Sequence, residues 1–154
     1  MLNIGTVAPP FSLLDQDAST HSLKQYEGKY VLLYFYPKDD TPGCTKEACM
    51  IADVYKDFSK LGIVVLGVSK DSPKSHKKFA TKYNLPFTLL SDPEATTIEK
   101  YGAWNEKKLF GRSFLGIERI SYLINPEGKI AKVYPKVDPA SHALDILKDV
   151  KALI

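Results

Sequence analysis

Apolar residues along this chain collect in short continuous runs, which are separated by polar turns that contain proline or glycine. Three of these runs have the length of a strand and are rich in branched and aromatic residues, at 30–36, 63–68 and 87–90. Runs of this kind predict buried strands. Two further runs, 120–124 and 130–134, predict an antiparallel pair joined by a tight turn.

Longer segments between the strands carry apolar residues at steps of three and four, the period of an amphipathic helix. A helix is predicted over 42–61, where Thr41 and Pro42 resemble an N-cap and a first helical residue, and Gly62 resembles a C-terminal cap. Similar polar-then-proline signals predict three further helices, over 73–84, over 92–101 and from 138 onward.

The remaining segments are an N-terminal hairpin, predicted from short runs at 11–14 and 21–23, and an irregular stretch predicted over 102–116. Strands that alternate with helices favour parallel pairing, and the last two strands add antiparallel pairing. We therefore expect an α/β protein with a mixed central β-sheet and helices on both faces. No repeat or linker interrupts the pattern, so residues 1–154 are expected to form one domain.

Composition excludes several classes of function. Hydrophobic residues make up 44% of the chain and charged residues 25%, which is ordinary for a folded protein, and the net charge of +3 comes from scattered lysines. Without a basic stripe or a zinc-finger spacing, nucleic acid is not an expected partner. No run is long enough to span a membrane, and no secretory signal is visible. Two cysteines in such a chain indicate a reducing compartment, so a cytoplasmic protein is expected.

Cys44 occupies a position with distinctive chemistry. It follows a buried strand and a polar turn, and it falls in the first turn of the predicted helix that begins after Thr41. Backbone N–H groups there have no intrahelical partner, and the helix dipole is positive. Because a thiolate is an anion, this location stabilises the reactive form of a cysteine.

Cys49 lies five residues after Cys44 in the same predicted helix. An ideal helix separates the two Cα atoms by about 8.7 Å, whereas a disulfide needs about 4.4–6.8 Å. The two sulfurs can therefore bond only if the first helical turns unwind, which is a low-cost motion at a helix end. Alternatively, both residues are inert buried thiols. A metal site is disfavoured because His21, His76 and His142 are far apart in the sequence and no zinc-type spacing exists.

Several motifs resemble one protein family. The pattern Pro37-x-x-x-Thr41-x-x-Cys44 is similar to the active-site motif of the peroxiredoxins, and residues 44–49 resemble the bacterioferritin comigratory protein, or Q-type, subfamily. Further segments that resemble this family lie at 34–37, 87–92 and 116–124, so the resemblance covers nearly the whole chain. It implies a thioredoxin-like fold and a thiol-dependent peroxidase that reduces hydrogen peroxide and organic hydroperoxides in antioxidant defence.

The resemblance also implies roles for individual residues. Cys44 is expected to be the peroxidatic cysteine, which attacks the peroxide and becomes a sulfenic acid. Thr41 is expected to hydrogen-bond the peroxide or the thiolate, Pro37 to wall the pocket against water, and Arg119 to stabilise negative charge. Cys49 is expected to be the resolving cysteine, which forms an intramolecular disulfide with Cys44.

The same resemblance implies thioredoxin or a similar dithiol protein as the reductant, a monomer as the working form, and no metal, haem or flavin cofactor. Two other functions remain open from the residues alone. One is a thioredoxin-fold protein for thiol–disulfide exchange or chaperone-like binding, although the Cys-x-x-Cys motif is absent. The other is a structural module with unreactive thiols.

Overall fold

The computed structural model describes residues 1–154. Its strands and helices, in chain order, are β1 (Ser12–Asp15), β2 (Thr20–Ser22), β3 (Val31–Phe35), α1 (Pro42–Asp53), α2 (Tyr55–Lys60), β4 (Val64–Ser69), α3 (Pro73–Tyr83), β5 (Thr88–Ser91), α4 (Thr96–Lys100), β6 (Trp104–Leu109), β7 (Arg112–Ile117), β8 (Ser121–Ile124), β9 (Ile130–Tyr134) and α5 (His142–Leu153).

Seven strands form one mixed sheet in the order β2-β1-β5-β4-β3-β8-β9. The central strands β3, β4 and β5 are parallel, as expected for strands that are joined through helices. β8 pairs antiparallel with β3, and β9 pairs antiparallel with β8. The N-terminal hairpin of β1 and β2 extends the other edge through an antiparallel pairing of β1 with β5.

The two faces of the sheet support separate cores. Alternate residues of β3 point to opposite faces, so Leu32 and Tyr34 pack with α1, α2, α3 and α5, whereas Leu33 and Phe35 pack with α4 and the N-terminal segment. Both cores consist mainly of buried aliphatic and aromatic side chains. The predicted α/β class, with helices on both faces of a mixed sheet, is confirmed. No helix is both long enough and apolar enough to cross a membrane.

The prediction of an irregular segment over 102–116 is wrong. β6 and β7 form a separate two-stranded antiparallel sheet, which turns at Phe110 and Gly111 with positive φ angles of 53° and 76°. Most residues of these strands are exposed or half-buried, and β6 carries consecutive charged residues. Because no face of the hairpin is deeply buried, the segment lacks the alternation of apolar and polar residues that identifies a strand.

Three predicted helices have other bounds than expected. The helix predicted over 92–101 is confined to α4, because residues 92–95 form a turn that is closed by a hydrogen bond from the Ala95 N–H to the Asp92 carbonyl at 3.0 Å.

The helix predicted over 42–61 is divided at Val54, whose φ and ψ of −109° and 12° end α1 before α2 begins. The apolar spacing continues across this break, so the sequence pattern does not reveal it. The last helix begins at His142, because Asp138 first forms a turn in which its carboxylate accepts a hydrogen bond from the Ala140 N–H at 2.9 Å.

His142 begins α5 as a buried histidine. Its Nε2 atom lies 2.8 Å from Ser121 Oγ, and its ring packs against Tyr134 with centroids 5.2 Å apart. Burial lowers the pKa of His142 from 6.5 to about 4, although the charge of Asp145 opposes this shift. The folded protein therefore holds this imidazole neutral across a range of pH in which the unfolded chain protonates it.

This difference predicts that acid destabilises the fold. Because the unfolded state binds the extra proton, the free energy of unfolding should be unaffected by His142 above pH 6.5 and fall as the pH approaches 4. The loss attributable to this residue should be about 3 kcal/mol. Urea unfolding at several pH values should show a smaller loss in His142→Gln than in the wild type. Equal losses in the two proteins would contradict the prediction.

Candidate active site

A turn between β3 and α1 presents Cys44. Thr41 has the extended conformation of an N-cap residue, Pro42 is the first helical residue, and Cys44 follows in the first turn of α1 with 2% of its surface exposed. The first helical bond runs from the Thr45 N–H to the Thr41 carbonyl at 2.8 Å. Cys44 therefore lies among the unpaired N–H groups of a helix N-terminus, as the sequence predicts.

Thr41 and Pro37 belong to the same turn. The Thr41 hydroxyl does not cap the helix, since it donates a hydrogen bond to the Lys38 carbonyl at 2.8 Å. Its side chain is thereby fixed within the turn, and the oxygen keeps lone pairs that can accept a hydrogen bond. Pro37 is half-buried and follows the buried Tyr36 at the end of β3.

A buried polar network holds this turn against the sheet and α3. Asp39 accepts a hydrogen bond from the Tyr36 hydroxyl at 2.6 Å, and its other carboxylate oxygen lies 2.7 Å from His76 Nδ1. His76 is fully buried, and its Nε2 donates to the Leu90 carbonyl at 2.9 Å. The Asp39 N–H donates to Asp71 at 2.9 Å. The turn before Cys44 is therefore tied to β3, α3 and β5.

The same network contains the group of side chains that is arranged most like a metal site. One ligand atom from each of Asp39, Asp71 and His76 lies within 4.8 Å of the others. Asp71 also accepts a hydrogen bond from the Ser69 hydroxyl at 2.6 Å. These ligand atoms are therefore engaged by hydrogen bonds within the protein, and the network supports the turn.

Arg119 is the cation beside Cys44. It lies in the connection between β7 and β8, and its Nη1 atom is 3.4 Å from Cys44 Sγ and 3.1 Å from Glu47 Oε1. Gly43 permits this approach, because a Cβ atom at that position would lie 2.9 Å from Arg119 Nη2. One guanidinium therefore bridges two acidic groups that lie one helical turn apart on α1.

Burial and charge act against each other in this cluster. The Glu47 side chain is fully buried, and burial raises the pKa of Glu47 from 4.5 to about 7 although Arg119 opposes the shift. For Arg119, burial alone would lower the pKa, but the negative charges of Cys44 and Glu47 raise it above its ordinary value. The guanidinium therefore stays charged, whereas the carboxyl group can change its protonation near neutral pH.

Cys49 lies farther along α1 and is half-buried. Burial raises the pKa of Cys49, and the charge of Asp53 raises it further although Lys46 opposes the shift. Both cysteines are free thiols, and the uninterrupted helix keeps their Cα atoms about 9 Å apart. The structure is therefore the reduced form, in which the two sulfurs cannot reach each other.

Sequence reasoning missed part of this arrangement. The sequence carried one signal for the pairing of Glu47 with Arg119. Glu47 follows Cys44 by three residues and shares its helix face, so a cation beside Cys44 is also close to Glu47. The network around His76 had no local signal, because His76 is 37 residues from Asp39. Gly43 also gave no signal, since its importance depends on a side chain from a distant segment.

Comparison with known proteins identifies relatives along the whole chain. Residues 4–133 match the AhpC/TSA family. A putative peroxiredoxin bcp from Coxiella burnetii is 51% identical over 146 residues, which cover 95% of this chain and 97% of the relative. Peroxiredoxin Bcp from Bacillus subtilis is 45% identical over 150 residues, covering 97% and 96% of the two chains.

Solved structures agree with these relatives. A cysteine-to-serine mutant of Xylella fastidiosa PrxQ superimposes with a TM-score of 0.93 at 32% identity, covering 99% of this chain and 98% of that chain. A similar mutant of Xanthomonas campestris peroxiredoxin Q gives a TM-score of 0.92 at 35% identity, covering 100% and 98%. The match to the family model, the relatives and the thioredoxin-like fold agree, and this chain belongs to the AhpC/TSA family, among its Bcp or Q-type peroxiredoxins.

Proposed function

We propose that this protein is a thiol-dependent peroxidase in which Cys44 is the peroxidatic cysteine. The observation that carries the proposal is the contact between Arg119 Nη1 and Cys44 Sγ, at 3.4 Å, at the N-terminus of α1. A permanently charged guanidinium and unpaired backbone N–H groups both stabilise a thiolate. Hydrogen peroxide and organic hydroperoxides are the proposed substrates.

The reaction begins when the Cys44 thiolate attacks one peroxide oxygen in line with the O–O bond. The sulfur becomes a sulfenic acid, and water or an alcohol leaves after its oxygen is protonated. Arg119 stabilises the negative charge as it moves from the sulfur to the leaving oxygen. The Thr41 hydroxyl hydrogen-bonds the peroxide, and Pro37 limits the access of water at the end of β3.

Cys49 is proposed to resolve the sulfenic acid by forming an intramolecular disulfide with Cys44. Because α1 holds the two Cα atoms about 9 Å apart, the first turns of the helix must open before the sulfurs can bond. A helix terminus opens at low free-energy cost compared with the core of the sheet. The disulfide is then reduced by thioredoxin or a similar dithiol protein, which restores both thiols.

We further propose that the protein acts as a monomer in the cytoplasm, without a metal or an organic cofactor. Both cysteines needed for the cycle lie on one helix of one chain, so no second subunit has to contribute a residue. No nucleic acid or membrane takes part in the proposed reaction. Sedimentation of the reduced and the oxidised protein, and a non-reducing gel, should both report the mass of one chain.

Intact mass after one equivalent of hydrogen peroxide tests the assignment of the two cysteines. The wild type should lose about two mass units through an intramolecular disulfide, and Cys49→Ser should gain about sixteen through a stable sulfenic acid. Cys44→Ser should remain unchanged, because the attacking sulfur is missing. An unchanged wild type, or full turnover by Cys44→Ser, would contradict the proposal and favour a thiol-exchange or binding protein. Insulin reduction, which should be poor, checks that alternative.

Gly43→Ala tests the contribution of Arg119 without removing a reactive group. The new Cβ would lie 2.9 Å from Arg119 Nη2, so the flexible guanidinium must move away from Cys44. Displacing one charge-stabilising group should lower the second-order rate constant for peroxide by roughly 100-fold, which is the lower end of the loss found when such a donor is removed. The loss of stability should be small, because alanine in a helix is about 0.5–1 kcal/mol more favourable than glycine and so offsets part of the cost of a weaker contact between Arg119 and Glu47.

The matched control for this variant is Lys60→Ala, which changes an exposed residue at the end of α2, 16 residues after Cys44. Stopped-flow kinetics with hydrogen peroxide should separate the two variants, and urea unfolding should show both to be folded. A Gly43→Ala protein with the wild-type rate constant would mean that the contact between Arg119 and Cys44 does not assist the attack.

A further inference from the structure

Two buried side-chain oxygen or nitrogen atoms in this protein have no hydrogen-bond partner, and both belong to the surroundings of Cys44. They are Glu47 Oε2 and the hydroxyl oxygen of Tyr34. Buried polar atoms are rarely left unpaired, since each costs free energy. Two such atoms around one reactive cysteine indicate that the cluster is arranged for chemistry and not for stability.

Tyr34 lies close to this cluster, and its side chain occupies space that a glycine on the neighbouring strand leaves free. It pairs with Gly67 of β4, where a Cβ atom would lie 2.8 Å from the phenol oxygen of Tyr34. Burial raises the pKa of Tyr34 well above its ordinary value, and the charges of Glu47 and Cys44 raise it further. Tyr34 therefore remains a protonated phenol and cannot supply a second positive or negative charge to the cluster.

Arg119 is the cation that touches both acidic groups. Its Nη1 atom contacts Cys44 Sγ at 3.4 Å and Glu47 Oε1 at 3.1 Å. Two full negative charges opposite one cation would leave an uncompensated charge in a buried site, which is strongly unfavourable. A proton on one of the two acids removes this excess charge.

The other titratable groups near the cluster form no hydrogen bond or ion pair with Cys44 or Glu47. Burial, followed by repulsion from Arg119, lowers the pKa of Lys107 on β6. His142 on α5 is neutral at physiological pH, because burial lowers its pKa to about 4. The titratable groups that interact electrostatically with Cys44, Glu47 or Arg119 are thus Tyr34, Lys107 and His142, and the carboxylates of Asp39, Glu118 and Asp145 act on these three in turn.

We propose that Cys44 and Glu47 share one negative charge opposite Arg119, and that Glu47 releases its proton when the Cys44 thiolate is oxidised. This inference rests on the proposed peroxidase function. Before the reaction, Arg119 faces a thiolate and a neutral carboxyl group. After the reaction, it faces a neutral sulfenic acid and a carboxylate. Burial, which raises the pKa of Glu47 to about 7, makes such an exchange accessible at physiological pH.

The proposed step balances in atoms and charge. The sulfur electron pair forms a bond to the terminal peroxide oxygen, the O–O bond breaks, and the sulfur is oxidised while the peroxide is reduced. The proton of Glu47 neutralises the oxygen anion that leaves as water or alcohol. Thiolate, carboxylic acid and hydroperoxide therefore give sulfenic acid, carboxylate and alcohol, with one negative charge on each side and no proton taken from solvent.

Proton uptake during oxidation tests this exchange. The experiment uses Cys49→Ser as the background, so that oxidation stops at the sulfenic acid, in a weakly buffered indicator solution near neutral pH. Ultraviolet absorbance first establishes that Cys44 is a thiolate. Peroxide should then cause no proton uptake in this protein, whereas the additional change Glu47→Gln should cause uptake of one proton per sulfenic acid. Glu118→Gln, a matched change beside Arg119, should behave like the background.

Infrared difference spectra provide a second readout that a merely structural role of Glu47 would not produce. Oxidation should remove the band of a protonated carboxyl group and create a carboxylate band, and neither change should occur in Glu47→Gln. Uptake of one proton by the background, or a thiol in place of a thiolate before mixing, would overturn the inference. These measurements decide the question even if Glu47→Gln fails to fold.

Mass spectrometry of the same samples separates this inference from the proposed function. If no sulfenic acid forms on Cys44, the peroxidase proposal itself fails. If the sulfenic acid forms and the background still takes up one proton, the peroxidase proposal stands and only the proton exchange with Glu47 is wrong.

Discussion

The contact of one guanidinium with two acidic groups is the constraint on which the site depends. Arg119 is one of only two arginines in the chain, and the other, Arg112, lies exposed on β7. Its contacts with Cys44 and Glu47 join the connection before β8 to the first turns of α1. Because electrostatic interactions are stronger in a buried site than in water, small changes in the charge of either acid alter how firmly these segments are held together.

The proposed cycle places two opposite demands on α1. Attack on peroxide needs an intact helix N-terminus next to Arg119, whereas disulfide formation needs that helix to open. Oxidation of the thiolate to a sulfenic acid weakens the attraction between Cys44 and Arg119, since it removes the charge on the sulfur. The network of Asp39 and His76 does not include Cys44, so it can hold the preceding turn while the helix opens. The first step therefore weakens the hold of Arg119 on Cys44, while the proposed Glu47 carboxylate keeps Arg119 paired with α1.

Sequence patterns predicted the strands and helix ends that depend on local burial and on capping residues. The central strands and the start of α1 follow from continuous apolar runs and from a capping residue before proline. The motif around Cys44 and the resemblance to peroxiredoxins also identified Arg119, although it is 75 residues from Cys44. The hairpin of β6 and β7 was not predicted, because its faces are largely exposed and its sequence therefore lacks an alternation of apolar and polar residues. The partners of Asp39 and Glu47 were not predicted, because contacts between segments that are distant in the sequence produce no periodic pattern of residues.

The presence of Glu47 in the site is not explained by a contribution to the stability of the fold. A folded-state pKa of about 7, raised by burial from 4.5, means that the native protein binds this proton more tightly than the unfolded chain. The contribution of Glu47 to stability is therefore greatest below pH 4.5 and decreases as the pH rises through 7. A neutral amide would bind Arg119 without this penalty. An ionisable group that weakens the fold near neutral pH, beside a reactive cysteine, is best explained by the need for a proton that can move.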